Sequence, residues 1–173
     1  KEKAGIEIEI IDGKKEAIII ASTDLHHLLK SDKTYLYVDV GGGSTEFSLF
    51  DNGKIVVSKS FKAGTVRFLN KMVCDVVWEE MEKWIKTNTK EYDEVILIGS
   101  GGNINKLFKM SGKLQDKPMS YIYLNSQYTF LNSLTYEQRI SELSLNPDRS
   151  DVIIPATQIY LNAMKWSGAR NIY

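Results

Sequence analysis

A chain of 173 residues, 43% of them apolar, suits one domain or one lobe of a two-lobed protein, and is too apolar for a disordered segment. Its 22 Lys and Arg balance 22 Asp and Glu, which argues against a nucleic-acid binder working through a diffuse positive field. No apolar run approaches the roughly 20 residues of a membrane helix, and the single cysteine, Cys74, rules out an internal disulfide and a zinc-like Cys/His cluster.

Cys74 is expected to be a small buried hydrophobe. No signal peptide is visible, so the expected compartment is the cytoplasm. The chain opens on Lys1 rather than Met and closes on Asn171-Ile172-Tyr173, where a strand begins; the expectation is a piece of a longer protein.

Ile6, Ile8 and Ile10 alternate with Glu7 and Glu9, the period of a half-buried strand. Asp12-Gly13 turns the chain, and residues 14–29 read as a helix. Residues 35–40 form an apolar strand broken only by Asp39, and 45–50 alternate with Phe47 and Leu49 on one face. Asp51-Asn52-Gly53 is a hairpin turn leading into a strand over 55–61. Three antiparallel strands thus come first. Asp75 is placed to N-cap a helix with Val77, Met81, Trp84 and Ile85 on one face, where Trp78 and Trp84 belong to core or interface. Residues 95–98 are a short buried strand, and 103–110 a helix. After Pro118 the chain is mostly helical. Thr135-x-x-Gln138 has the form of a capping box. Residues 148–166 form an apolar helix kinked or restarted at Pro155 and ended by Gly168.

The stretch Val38-Asp39-Val40-Gly41-Gly42-Gly43-Ser44-Thr45-Glu46 carries the most chemistry. Three glycines let backbone N–H groups approach an anion with no Cβ in the way. Ser44 and Thr45 add hydroxyl donors. Asp39 ends a buried strand, where a carboxylate needs a partner, and a magnesium ion or its water shell is a natural one. Glu46, on the outgoing strand, is placed to point at the same turn. Walker and dinucleotide loops lead into a helix, whereas this turn leads into a second strand. A glycine hairpin with Asp at its start resembles the phosphate loop of the actin, Hsp70 and sugar-kinase superfamily.

The whole string from Asp39 to Phe47 resembles the second phosphate motif of the exopolyphosphatase and guanosine pentaphosphate phosphatase family (Ppx/GppA). Ala63-Gly64-Thr65-Val66-Arg67 resembles the family's small-Gly-x-Val-Arg segment, residues 98–104 its second glycine segment, and residues 145–156 its Pro-x-Arg-x-Asp helix start. The resemblance implies an α/β, ribonuclease H-like fold of two actin-like lobes. The first-lobe phosphate loop does not occur here. Residues 1–34 then resemble the end of the first lobe and the crossing helix, and 35–173 the second lobe. Gly13-Lys14-Lys15-Glu16-Ala17 resembles the family's Gly-x-x-Glu-Ala, which implies that Glu16 is the catalytic base. Lys15 departs from the acidic residue usual there.

Gly99, Ser100, Gly101, Gly102 and Asn103 lie between a strand and a helix N-terminus, where free N–H groups favour an anion. In the superfamily this position lies against the nucleoside, or it only closes the cleft. Arg67 suits a phosphate contact or a surface ion pair. His26 and His27 read as helix surface or lobe contact. Lys106, Lys109 and Lys113 read as a solvated basic face rather than a polyanion path.

The resemblance therefore implies a phosphohydrolase that removes terminal phosphate from inorganic polyphosphate or guanosine pentaphosphate. Asp39 and Glu46 would hold Mg2+, residues 41–45 would cradle phosphate, and a homodimer is compatible with it. The rival readings are an actin-like ATPase or kinase lobe, and a non-catalytic alarmone-sensing or dimerisation domain. No nucleic-acid or membrane partner is expected.

Overall fold

The computed structural model describes Gly5, Glu9 and residues 32–113 and 117–173. Apart from Glu9, the expected strand at 6–10 lies outside the described residues, as do the expected helix at 14–29 and with it Lys15, Glu16, His26 and His27.

Strands β1 (Thr34–Val40), β2 (Thr45–Asp51) and β3 (Lys54–Phe61) form the antiparallel run the sequence predicts. Beyond them come β4 (Val95–Ser100) and two short strands, β5 (Met119–Ser120) and β6 (Asn171–Ile172). The six-stranded order is β3-β2-β1-β4-β6-β5, with β1–β4 and β4–β6 parallel and β5–β6 antiparallel. The sheet is thus mixed α/β.

Alternation sorts the two faces. Leu36, Val38, Val40, Phe47, Leu49 and Leu97 point to one side and join the main core; Tyr35, Tyr37, Phe50 and Ile98 form a smaller cluster on the other. The described helices that reach the core sit on the main-core side. They are α1 (Thr65–Leu69), α2 (Asp75–Thr89), α3 (Gly102–Ser111), α4 (Tyr121–Ser133), α5 (Tyr136–Leu143), α6 (Pro147–Ser150) and α7 (Ile153–Ser167). The central one is α7. It packs on β1, β4, α2, α3 and α4 and buries Ile153, Ala156, Ile159, Tyr160, Ala163 and Met164. Such wide burial explains why its sequence is apolar on more than one side. No helix among the described residues is long and apolar enough to cross a membrane.

Several local expectations shift. Cys74 is exposed rather than buried, because it is itself the N-cap of α2; Asp75 is the first helical residue, where its charge favours the helix dipole. The break in the last long helix falls at Asp151 and Val152, so Pro155 sits in the first turn of α7, where its missing N–H costs no helical bond. The Thr135–Gln138 capping box is present with both of its bonds. The one-turn α1 and the two-residue β5 are too short to leave a periodic signal.

Candidate functional site

The site begins with strand parity. Asp39 of β1 faces Glu46 of β2, Glu46 faces Ser60 of β3, and Asp39 faces Ser100 of β4. Residues opposite one another share a face, so these four make one polar row across four strands. Both carboxylates therefore lie on the same side at the C-terminal end of β1. Glu46 is fixed there. Its Oε1 accepts from Ser44 Oγ at 2.6 Å and from Ser60 Oγ at 2.7 Å.

Thr45 falls on the opposite parity. It is fully buried, and its hydroxyl donates to Ala63 O at 2.5 Å. The hydroxyl expected to face phosphate is spent inside the core. Ser44 Oγ likewise serves Glu46.

Between β1 and β2 the turn is exposed at Gly41, Gly42 and Gly43. Gly41 N–H closes it on Ser44 O at 3.0 Å. The segment after β3 then clasps the turn from one side. Thr65 N–H donates to Gly41 O and Val66 N–H to Gly42 O, both at 3.0 Å, and Arg67 Nε donates to Gly43 O at 2.8 Å. Arg67 is thus tied to the turn through Nε. In a trans peptide the N–H points opposite to the preceding carbonyl. Tying back the carbonyls of 41, 42 and 43 therefore turns the N–H groups of Gly42, Gly43 and Ser44 the other way, as one aligned set of donors. Gly64 is what permits the clasp: a Cβ there would lie 2.3 Å from Gly42 C and O and 2.4 Å from Gly43 N.

The second glycine segment closes on the first. Gly101 has φ of 114°, outside the usual range of side-chain-bearing residues. A Cβ on it would sit 3.2 Å from Val40 O and 3.6 Å from Asp39 Oδ1. Gly102 opens α3 and takes the Arg149 guanidinium on its carbonyl oxygen. Asn103 Oδ1 is buried with no hydrogen-bond partner. Leaving such an acceptor unmet costs about 1–3 kcal/mol.

Arg149 was quoted from sequence only as part of a helix-start motif. The structure adds it to the site, because the chain returns through α6 to the head of α3. Arg149, Lys106 and Lys109 line a cavity of about 420 Å³ together with Asn105 and Asn146. Lys106 Nζ also donates to Leu143 O at 3.1 Å, whereas Lys113 Nζ reaches Pro118 O at 2.9 Å on the outside. The expected basic face is thus split, two of its lysines lining a cavity. Tyr160 is the other residue no motif flagged; its phenol donates to Ser100 O beneath the second turn.

The donor set can be tested against a metal. Two carboxylates beside a set of anion-binding amides would repel a phosphate unless a cation lay between them. Among the described residues no three His, Cys, Asp or Glu cluster, which does not provide an all-protein cage. A pair of carboxylates fits Mg2+, which keeps several waters and takes substrate phosphate oxygens as ligands.

Comparison with known proteins agrees with this architecture. The model of the Ppx/GppA phosphatase family matches residues 1–166. A bifunctional 3-dehydroquinate synthase/phosphatase of Fusobacterium nucleatum is 30% identical over 190 aligned residues, covering 94% of this chain and 28% of that protein. The crystal structure of an exopolyphosphatase from Cytophaga hutchinsonii superposes with a TM-score of 0.77 at 20% identity, over 99% of this chain and 62% of that one. The Ppx/GppA member of Aquifex aeolicus gives 0.74 at 17% identity, over 99% and 61%. The chain spans about three-fifths of the length of those solved relatives, and shares their actin-like fold. With a family match over nearly its whole length, the chain belongs to the Ppx/GppA phosphatase family.

Proposed function

We propose that this chain is the second lobe of a phosphohydrolase that releases terminal phosphate from inorganic polyphosphate or guanosine pentaphosphate. The observation that carries the reading is the clasped first turn: three amides aligned on one side, with Asp39 and Glu46 on the adjoining strand ends. Fixed donors of this kind stabilise the charge that develops on a transferring phosphoryl group and need no reorganisation when it does. The word phosphatase in the name of the Fusobacterium relative and the exopolyphosphatase of Cytophaga point the same way.

Within the chain the roles divide by chemistry. The N–H groups of Gly42, Gly43 and Ser44 bind phosphate oxygens. Asp39 and Glu46 hold Mg2+, with Ser44 and Ser60 keeping Glu46 oriented. When bound, the metal supplies charge neutralisation between carboxylates and phosphate. Glu16, by the family resemblance, orients and partly deprotonates the attacking water; it lies outside the described residues. Gly101 lies beside Asp39 and Gly102 opens α3 next to it, the position that the family resemblance puts against a nucleoside.

The test is phosphate release by the full-length protein with Mg2+, offering long-chain polyphosphate, guanosine pentaphosphate and ATP in parallel. Release from either of the first two with ATP untouched is the expected result. Turnover of ATP alone would move the protein to the ATPase and kinase reading, and no release from any of the three would leave the non-catalytic one.

A further inference from the structure

Tyr160 has no place in the phosphate chemistry just described, yet it is the largest fully buried side chain among those reported for the core. It projects from the second turn of α7 to the edge of the site. Its O–H donates to Ser100 O, the carbonyl that leads into the second glycine turn. The Tyr160 ring lies under Gly99, whose added Cβ would meet Cε1 at 3.4 Å, and its hydroxyl is 3.6 Å from the place a Gly101 Cβ would occupy. Gly101, beside that hydroxyl, also lies against the end of β1: a Cβ on it would sit 3.2 Å from Val40 O and 3.6 Å from Asp39 Oδ1.

One phenol thus holds the last residue of β4, the register partner of Asp39, where both strands give way to glycine turns. Parallel β1 and β4 are paired only as far as Asp39 and Ser100. Past that register no ladder bond fixes how far apart the turns stand. Three glycines in one turn and two in the other leave little side-chain packing to do it.

We propose that Tyr160 is a positioning residue of the phosphate site, its hydroxyl holding the Ser100 carbonyl at the head of the second glycine turn and so setting the distance between Asp39 and the head of α3. The inference rests on the phosphohydrolase reading for its effect on turnover, but not for its effect on structure. The chemistry favours a neutral phenol in this role. Burial pushes the Tyr160 hydroxyl well above its ordinary value of 10, and the Asp39 carboxylate adds to that shift. The group therefore keeps its proton, and so its bond to Ser100, throughout the working range of a phosphatase. A donor fixed on a buried helix is more rigid than one on a loop, which suits a site where small displacements are costly.

The experiment replaces Tyr160 by Phe in the full-length protein, with Ile159→Val as a comparison that loosens the same helix without touching either turn. Hydrogen exchange of peptides covering 38–44 and 98–104 is read without substrate, alongside kcat, KM and the Mg2+ concentration for half-activation. The expected result is faster exchange in the second turn, and kcat lower by about 10- to 100-fold with KM changed much less. Half-activation should shift to higher Mg2+. Ile159→Val should keep wild-type kcat and wild-type exchange in the turns. Unchanged exchange in Tyr160→Phe would overturn the proposal whatever the activity. Faster exchange with unchanged kcat and Mg2+ dependence would overturn it too, as would an equal loss of kcat in Ile159→Val. A wild type without phosphatase activity would sink the phosphohydrolase reading alone, and the exchange data would still decide whether Tyr160 holds the second turn.

Discussion

Gly64 shows how one missing side chain shapes the chemistry of another loop. Its backbone lies so close to Gly42 that a methyl group would come within 2.3 Å of main-chain atoms. Backbone cannot swing aside as the tip of a flexible side chain can, so the turn itself must move. The bonds from Thr65 and Val66 to Gly41 and Gly42 would break with it, and the aligned amides would lose their aim. Gly64→Ala is therefore expected to lower kcat/KM by at least about 100-fold, the scale seen when one oxyanion donor is lost, while the protein still folds. Steady-state kinetics on the full-length protein check this, and a change under threefold would show that the clasp does not orient the turn. Some of this was legible beforehand. Asp39, Glu46 and the glycines stand out by residue type alone. The roles of Thr45, Arg67 and Gly64 do not, because they depend on strand parity and on a contact between segments about 20 residues apart. Arg67 makes a bond that no motif signals, from Nε to a backbone carbonyl.

At the level of elements, the long strands and helices could be read because burial imposes a period on them. The alternation of 45–50 and the helical stripe of Val77, Met81 and Ile85 are direct imprints of the core. The short pieces were lost, and they matter to the site: α1 carries the clasp and α6 carries Arg149. What holds α6 in place is legible at one remove, through α5. Its capping box satisfies the helix N-terminus, and from that helix Arg139 donates to Ser150 O at 2.7 Å, to Leu134 O at 2.7 Å and to Leu131 O at 3.1 Å. One guanidinium thus joins α4, α5 and α6. Thr135→Ala removes the bond to the Gln138 N–H and should cost about 1 kcal/mol. The expected readout is a lower urea midpoint with an unchanged m-value. An unaltered midpoint would mean that the box contributes nothing net, its exposed bonds being replaced by water.

The whole molecule raises a question of sidedness. The first turn, the two carboxylates and the second turn all lie along one end of one sheet, so on the proposed reading they would enclose a phosphate from one direction. A phosphoryl group in flight carries charge on oxygens around its entire circumference, with the attacking and leaving oxygens in line. Donors on one side bind a phosphate but leave water free to solvate the other, and that weakens each electrostatic contact. On the two-lobed reading, the opposing donors come from a lobe that this chain does not contain, and closure of the two excludes the water. The chain by itself should then fold and yet turn over poorly. Expressed alone, its 173 residues are expected to give the helical circular dichroism of the structure, and to release phosphate from polyphosphate at below about 1% of the full-length rate, since lost positioning alone accounts for factors of this size. Turnover within tenfold of the full-length protein would show that a single lobe is catalytically complete. In that case the clasped turn, Asp39 and Glu46 would have to supply nearly all the stabilisation, and the search for a base would move from Glu16 to residues along the polar row.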